Sequence, residues 1–171
     1  MNAFRSRARV AGLTAAVAAL SLLAVPAPAG AEEGVQPPFN LTAGLHAAAG
    51  GPDESGRLGV VRFRQPKDEV KIIYLRVRVR NLAANHSYFL QRATDTNVDD
   101  SCTGANWLTL GQGLTPEAIA TDEMGRGRAD LFRDLAAIPV GMQFDIHFRV
   151  IDAVSSAVVL ESGCYQFTLR Q

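Results

Sequence analysis

"RVRVRNLAANHSY" (residues 76–88) opens with charge and aliphatic bulk in strict alternation and closes on a tyrosine. Extending it back to Lys71 lengthens the pattern. Ile73, Leu75, Val77 and Val79 fall on one side, and Arg76, Arg78 and Arg80 on the other. A period of two is the repeat of a strand, whose successive side chains point to opposite faces. An apolar row backed by a charged row describes a half-buried antiparallel strand. The question the stretch poses is whether the arginine row is a binding surface or only the wet side of that strand.

Two other segments repeat the pattern. Residues 143–152 set Phe144, Ile146, Phe148 and Val150 against Asp145, His147 and Arg149. The terminal "CYQFTLRQ" sets Tyr165, Phe167 and Leu169 against Gln166, Thr168 and Arg170. Weaker strands are expected at 41–47, 58–64, 87–93, 107–111, 127–132 and 157–161, separated by the turn-forming "GGPDESG", "QPKDE", "TDEMGRG" and "DAVSS". About eight or nine short strands with loops of this size predict an all-β fold, an antiparallel sandwich of Greek-key or immunoglobulin-like type. The stretch "TPEAIATDE" is consistent with a short helix started at Thr115, Pro116 and Glu117, or with a connecting turn or edge strand. "RNLAANHSYFLQRATD" from Arg80 and "RDLAAIPVGMQFDIHFRVID" from Arg133 echo one another, each a leucine, a short connection and an aromatic-led strand.

The chain begins with Arg5, Arg7 and Arg9, an apolar run from Leu13 to Val25 and the small residues Ala29, Gly30 and Ala31. That order is the order of a secretory signal peptide, and the run is shorter than the ~20 residues a membrane span needs. We expect a leader over 1–31, a loose polar lead over 32–40 and a single domain over 41–171, exported and with no transmembrane segment once the leader is removed. Without the three leader arginines the 17 basic and 17 acidic residues become a net charge of −3, which argues against general nucleic-acid binding. Cys102 and Cys164 are the only cysteines. Export favours their oxidation to a disulfide over two free buried thiols. Closing so long a loop stabilises by roughly 4 kcal/mol in the chain-entropy picture.

"NLAANHSY" resembles the leucine–turn–tyrosine step of fibronectin type III and immunoglobulin-like sandwiches, with Leu82 and Tyr88 as the bracketing pair. The resemblance implies that the Tyr88 hydroxyl bonds back to nearby main chain. "TDEMGRGRADL" (residues 121–131) likewise resembles the acidic-and-glycine hairpin of many secreted bacterial sandwich domains. Cys102 and Cys164 do not bracket Trp107 as the immunoglobulin core disulfide brackets its tryptophan, so the likeness speaks for a sandwich and not for a function.

Several groups are candidates for chemistry. Arg76, Arg78 and Arg80 lie ~7 Å apart along a strand. If 58–64 pairs with that strand, Arg62 and Arg64 join them in a positive plate suited to a sulfated or carboxylated glycan or a teichoic-type polymer. The plain alternative is a solvated face that guards a strand edge. Asp95, Asn97 and Asp99 alternate as in the first half of a calcium loop, but Asp100 stands at the turn glycine and Asn106 at the bidentate glutamate. No cofactor is expected, and calcium at Asp95, Asn97 and Asp99 is the candidate exception, ahead of zinc or copper at the histidines. His46, His86 and His147 have no metal spacing, and no G-x-S-x-G elbow is present. Trp107 is expected to plug the core against the disulfide rather than serve as a sugar platform.

The leading functional expectation is a secreted non-enzymatic binding or structural domain that contacts an extracellular or cell-envelope polymer or a protein. The alternatives are a small secreted hydrolase or metal-dependent enzyme with its site in the loops, and an inhibitor of an extracellular protein.

Overall fold

The computed structural model describes residues 39–48, 56–67 and 72–170, all within the compact unit Val35–Gln171. The expected leader over 1–31, and the lead up to residue 38, lie outside the described residues.

The alternating segments all become strands: β1 (Leu41–Ala47), β2 (Arg57–Arg64), β3 (Ile72–Val79), β4 (Ser87–Asp95), β9 (Gly127–Asp134), β10 (Gln143–Asp152), β11 (Val158–Ser162) and β12 (Tyr165–Thr168). The weak strand expected at 107–111 is split into β5 (Leu108–Thr109) and β6 (Gly111–Gln112), and "TPEAIATDE" gives β7 (Thr115–Pro116) and β8 (Ala118–Ala120). Among the described residues there is no helix, so of the two readings of that stretch the edge-strand one holds.

The strands form one hydrogen-bonded path, β5-β4-β10-β11-β1-β2-β3-β9-β6-β7, with β12 also on β10 and β8 also on β4. This differs from two separate facing sheets. β11 is the reason on one side. It pairs with β10 along one edge and with β1 along the other, so the path runs on between the would-be layers. Register shifts between Leu45 and His46, and between Val150 and Ile151, let those strands bend. The other side is drawn together by residues 108–112. Gln91 and Arg92 pair with β5, Leu110 N donates to Leu90 O at 2.9 Å, and Gln112 then pairs parallel with Phe132 of β9. The result is a nearly closed barrel of twelve strands.

The inward rows fill its interior. Phe63, Leu75, Leu90, Phe148, Leu160, Phe167 and Leu169 are all essentially fully buried. Burial of such a side chain stabilises by roughly 1.5–3 kcal/mol relative to leaving it in water. Phe167 sits between Phe63 and Phe144, with ring centroids at 4.4 and 5.0 Å.

The crossover after the arginine strand is a tyrosine corner. Ala83 N donates to the Tyr88 hydroxyl at 3.1 Å, and Tyr88 is 3% exposed. Asn81 and Asn85 take positive φ (57° and 51°), a conformation asparagine tolerates better than most residues. The "TDEMGRG" turn docks on this corner. Leu82 N donates to Gly125 O at 3.1 Å, and a Cβ at Gly125 would meet Leu82 O at 2.0 Å, so only glycine fits there. Thr121 Oγ1 donates to Ala83 O at 2.7 Å and accepts from His86 N at 3.0 Å. His86 Nε2 in turn lies 2.6 Å from Asp152 Oδ2. The Asp152 carboxyl is drawn down to about 2, first by the Ser155 and Val154 amides and then by His86. The aromatic-led strands of the two echoing segments, 80–95 and 133–152, are also spatial partners: β4 pairs antiparallel with β10.

Candidate functional site

The β2–β3 hairpin sets the arginines. Its register places Arg62 opposite Arg76, Arg64 opposite Tyr74 and Val60 opposite Arg78. On the far side of β3, β9 places Asp130 opposite Arg76, Arg128 opposite Arg78 and Phe132 opposite Tyr74. The alternation seen in the sequence therefore collects Arg62, Arg64, Arg76, Arg78 and Arg80 on one exposed face, joined by Arg57 and Arg128. Each arginine is held there because the residues on either side of it in the strand, such as Leu75, Val77 and Val79, are locked into the interior.

Charge on this face is poorly balanced. Arg62 and Arg76 are directly opposed, as are Arg78 and Arg128, and like charges in that position repel. Asp130 is the carboxylate set among them. Arg76 Nε donates to its Oδ1 at 2.5 Å and Arg128 Nη2 to its Oδ2 at 2.5 Å. The Arg76 bond, followed by the Arg128 bond, holds the Asp130 carboxyl below the usual carboxylate range. Arg80 bends to the edge and donates to Arg57 O at 2.8 Å. The guanidinium groups of Arg62, Arg64 and Arg78 have no hydrogen-bond or ion-pair partner among the described residues.

Two shallow depressions lie on the face and share Arg62. One, of about 300 Å³, is lined by Arg57, Arg62, Arg78 and Arg80. The other, of about 400 Å³, is lined by Arg62, Arg64, Tyr74, Arg76 and Phe132. Tyr74 is 48% exposed, so its ring offers an open apolar surface beside the guanidinium groups.

Comparison of the chain with protein-family models, curated proteins and solved structures finds no match.

The second sequence candidate lies across the barrel. Asp95 Oδ2 accepts from Thr103 N and Gly104 N, at 3.0 and 3.1 Å. Asn97 Nδ2 donates to Asp99 Oδ2, and Asp99 Oδ1 accepts from Ser101 N. These side chains tie residues 96–107 into a folded loop. Among the described residues no three His, Cys, Asp or Glu side chains gather as metal ligands. What the sequence reading missed is Asp145, opposite Asp95 in the β4–β10 register and fully buried. Its Oδ2 accepts from Asp99 N at 3.1 Å, while Asp145 Oδ1 and Asp95 Oδ1 are buried without a partner.

The loop is pinned by the Cys102–Cys164 disulfide, whose Cα atoms lie 5.3 Å apart. Trp107 departs from its expected place. It is half-buried outside the barrel, with the Arg149 guanidinium 4.0 Å from its ring centroid and the His147 ring at 4.5 Å. The interior on that side is already filled by Phe144 and Phe148, so the indole covers the outer row of β10 instead. His46, His86 and His147 stay apart and form no cluster.

Tyr74, Arg57 and Arg128 were not singled out from the sequence. Tyr74 was within reach of the same argument, because it shares the parity of Arg76, Arg78 and Arg80.

Proposed function

We propose that the protein is an exported, non-enzymatic binding module that holds an acidic polysaccharide on the outward face of β2, β3 and β9. The observation that carries this reading is the pair of directly opposed arginine couples, Arg62–Arg76 and Arg78–Arg128, with one carboxylate among them. A solvated face has no need of such repulsion, and a polyanion relieves it. Arg62, Arg64 and Arg78 keep free guanidinium forks suited to bidentate contact with sulfate or carboxylate groups. Tyr74 supports a sugar over a bare phosphate polymer, since its exposed ring gives a pyranose an apolar surface to lie on. The leader over 1–31 supports export. The tyrosine corner supports kinship of architecture with immunoglobulin-like sandwiches, flattened from the nearly closed barrel.

The test is retention of the intact, oxidised protein on immobilised sulfated and uronate polysaccharides over a salt series. Salt-sensitive retention that disappears on replacing Arg62, Arg64 and Arg78 together by glutamine supports the reading. Equal retention of the variant sends the function elsewhere on the molecule.

A second reading is favoured by one observation, the unpartnered buried oxygens of Asp95 and Asp145. A calcium ion there, completed by main-chain carbonyls and water, would satisfy both and brace the disulfide loop. A thermal shift with calcium that a chelator reverses, and that Asp145→Asn removes, distinguishes it.

A further inference from the structure

One end of the barrel interior breaks the rule that inward rows are apolar. On β4 the inward row runs Tyr88, Leu90, Arg92, Thr94, and on β9 it runs Ala129, Leu131, Arg133. Arg92 is set between Phe148 and Leu108 of the flanking strands, and Arg133 lies opposite Ile73. Both arginines line a cavity of about 110 Å³ whose other walls include Leu75, Leu110, Ile138, Met142 and Phe144. The space is close to that of a cavity that accepts one benzene ring.

The two guanidinium groups are half-buried, and neither meets a carboxylate among the described residues. Arg92 Nη1 donates to Thr94 Oγ1 at 2.9 Å and Arg133 Nη1 to Gly113 O at 3.1 Å, which leaves most of their donors unused. Burial, and then the charge of Arg133, push Arg92 below the ordinary arginine range. Keeping two like charges at the mouth of an apolar cavity is costly unless an anion sits between them.

We propose that this barrel mouth is a binding site for a small amphipathic monocarboxylate, its carboxylate held between Arg92 and Arg133 and its apolar body, of about six carbons, inside the cavity. The chemistry requires both halves. The cavity alone would take any small hydrocarbon, and the arginines alone would take any small anion. The site lies inside the barrel and does not depend on the outward arginine face.

The test is calorimetric and NMR titration of the intact, oxidised protein with hexanoate, and with 1-hexanol as the uncharged match. The expected result is saturable 1:1 hexanoate binding, with shifts confined to methyl groups of Leu110, Ile138 and Met142. Hexanol should bind at least about tenfold more weakly. Arg133→Met should weaken hexanoate binding by a similar factor while keeping or raising the melting temperature, because it relieves a like-charge contact. Ile138→Trp, which fills the cavity and leaves both arginines in place, should abolish binding of both probes. No saturable binding up to about 10 mM hexanoate by the folded protein overturns the proposal. So does equal affinity for hexanol, or hexanoate binding that survives both variants.

Discussion

On β2 and β3 the outward row is Arg62, Arg64, Tyr74, Arg76 and Arg78, and it faces water. On β4 and β10 the outward row is Gln91, Ala93, Asp95, Asp145, His147 and Arg149, and residues 96–107 lie across it. Ala93 and Asp145 are fully buried there, and Gly104 O is 3.0 Å from His147 Nε2. Both rows come from the same two-residue alternation on strands of one barrel. The first carries like charges with few partners. The second carries polar groups that the loop engages through Asp95, Asp145 and His147, with one buried oxygen of each aspartate left unpaired. An outward row of polar residues thus has two fates, and which one it meets depends on whether a neighbouring segment supplies donors to it. The face left without such a segment is the one suited to a partner from outside.

The largest effect that would break this contrast is loss of the disulfide. Replacing Cys102 and Cys164 together by serine frees a loop closed over 62 residues and should cost roughly 3–4 kcal/mol in a denaturant titration. Trp107 is the only tryptophan, so its emission should shift red as it loses the cover of His147 and Arg149. Polysaccharide affinity, read on the opposite face, should stay within about twofold. A large loss of affinity in this variant would mean that the covered face, not the arginine face, holds the polymer.

Next in size is the removal of the three free guanidinium groups. Arg62→Gln, Arg64→Gln and Arg78→Gln together should weaken polyanion binding about 100-fold at low salt, or ~2.7 kcal/mol. The melting temperature should hold or rise, because two like-charge contacts disappear. A fall in stability with unchanged affinity would reduce the face to a solvated surface.

A smaller effect is expected from Trp107→Ala. The half-buried indole gives up its contact with the Arg149 guanidinium and its cover of β10, worth roughly 1–2 kcal/mol together. Arg149 keeps its bond to Gln91 Oε1 at 2.7 Å, so the strand pair should survive. A thermal melt reads the loss, and a change in polymer affinity would contradict the separation of the two faces.

The contrast also marks what the sequence made legible. Eight of the nine expected segments are strands within a few residues of their expected ends, because rows such as Ile73, Leu75, Val77 and Val79 or Phe144, Ile146, Phe148 and Val150 admit no other period, and the ninth, 107–111, is split in two. The hydroxyl of Tyr88 bonds back to main chain as the "NLAANHSY" resemblance implies. Closure of the barrel was not legible. It rests on β5 and β6, two residues each, and on one parallel pairing of Gln112 with Phe132, too short to leave a periodic trace. Asp145 read as an outward, wet residue for the same reason that Arg76 did. Alternation assigns a side of the sheet, and only the path of a distant loop decides whether that side is dry. Arg133 falls one residue beyond the strand expected at 127–132, and Arg92 stands next to the polar Gln91 and two residues from Thr94, so neither reads from the sequence as an inward residue.

The smallest effect belongs to Asp130 and tests the arginine face most directly. Asp130 is the negative charge between Arg76 and Arg128, so its ionised form both steadies them and repels a polyanion. Asp130→Asn should tighten binding of a sulfated polysaccharide about threefold at low salt and have no effect at high salt. The pH dependence gives the sign a second check. The folded carboxyl is held below its usual range, so its contribution to stability is present above the ordinary carboxylate pKa and is lost as pH falls through the depressed value. Sulfate stays ionised throughout. Wild-type affinity should therefore climb only as pH falls below the ordinary carboxylate range, where Asp130 takes up its proton, while the asparagine variant loses this component of the rise. If the variant and wild type bind alike at neutral pH and low salt, the polymer does not lie over Asp130, and the opposed arginine couples answer to something other than a polyanion.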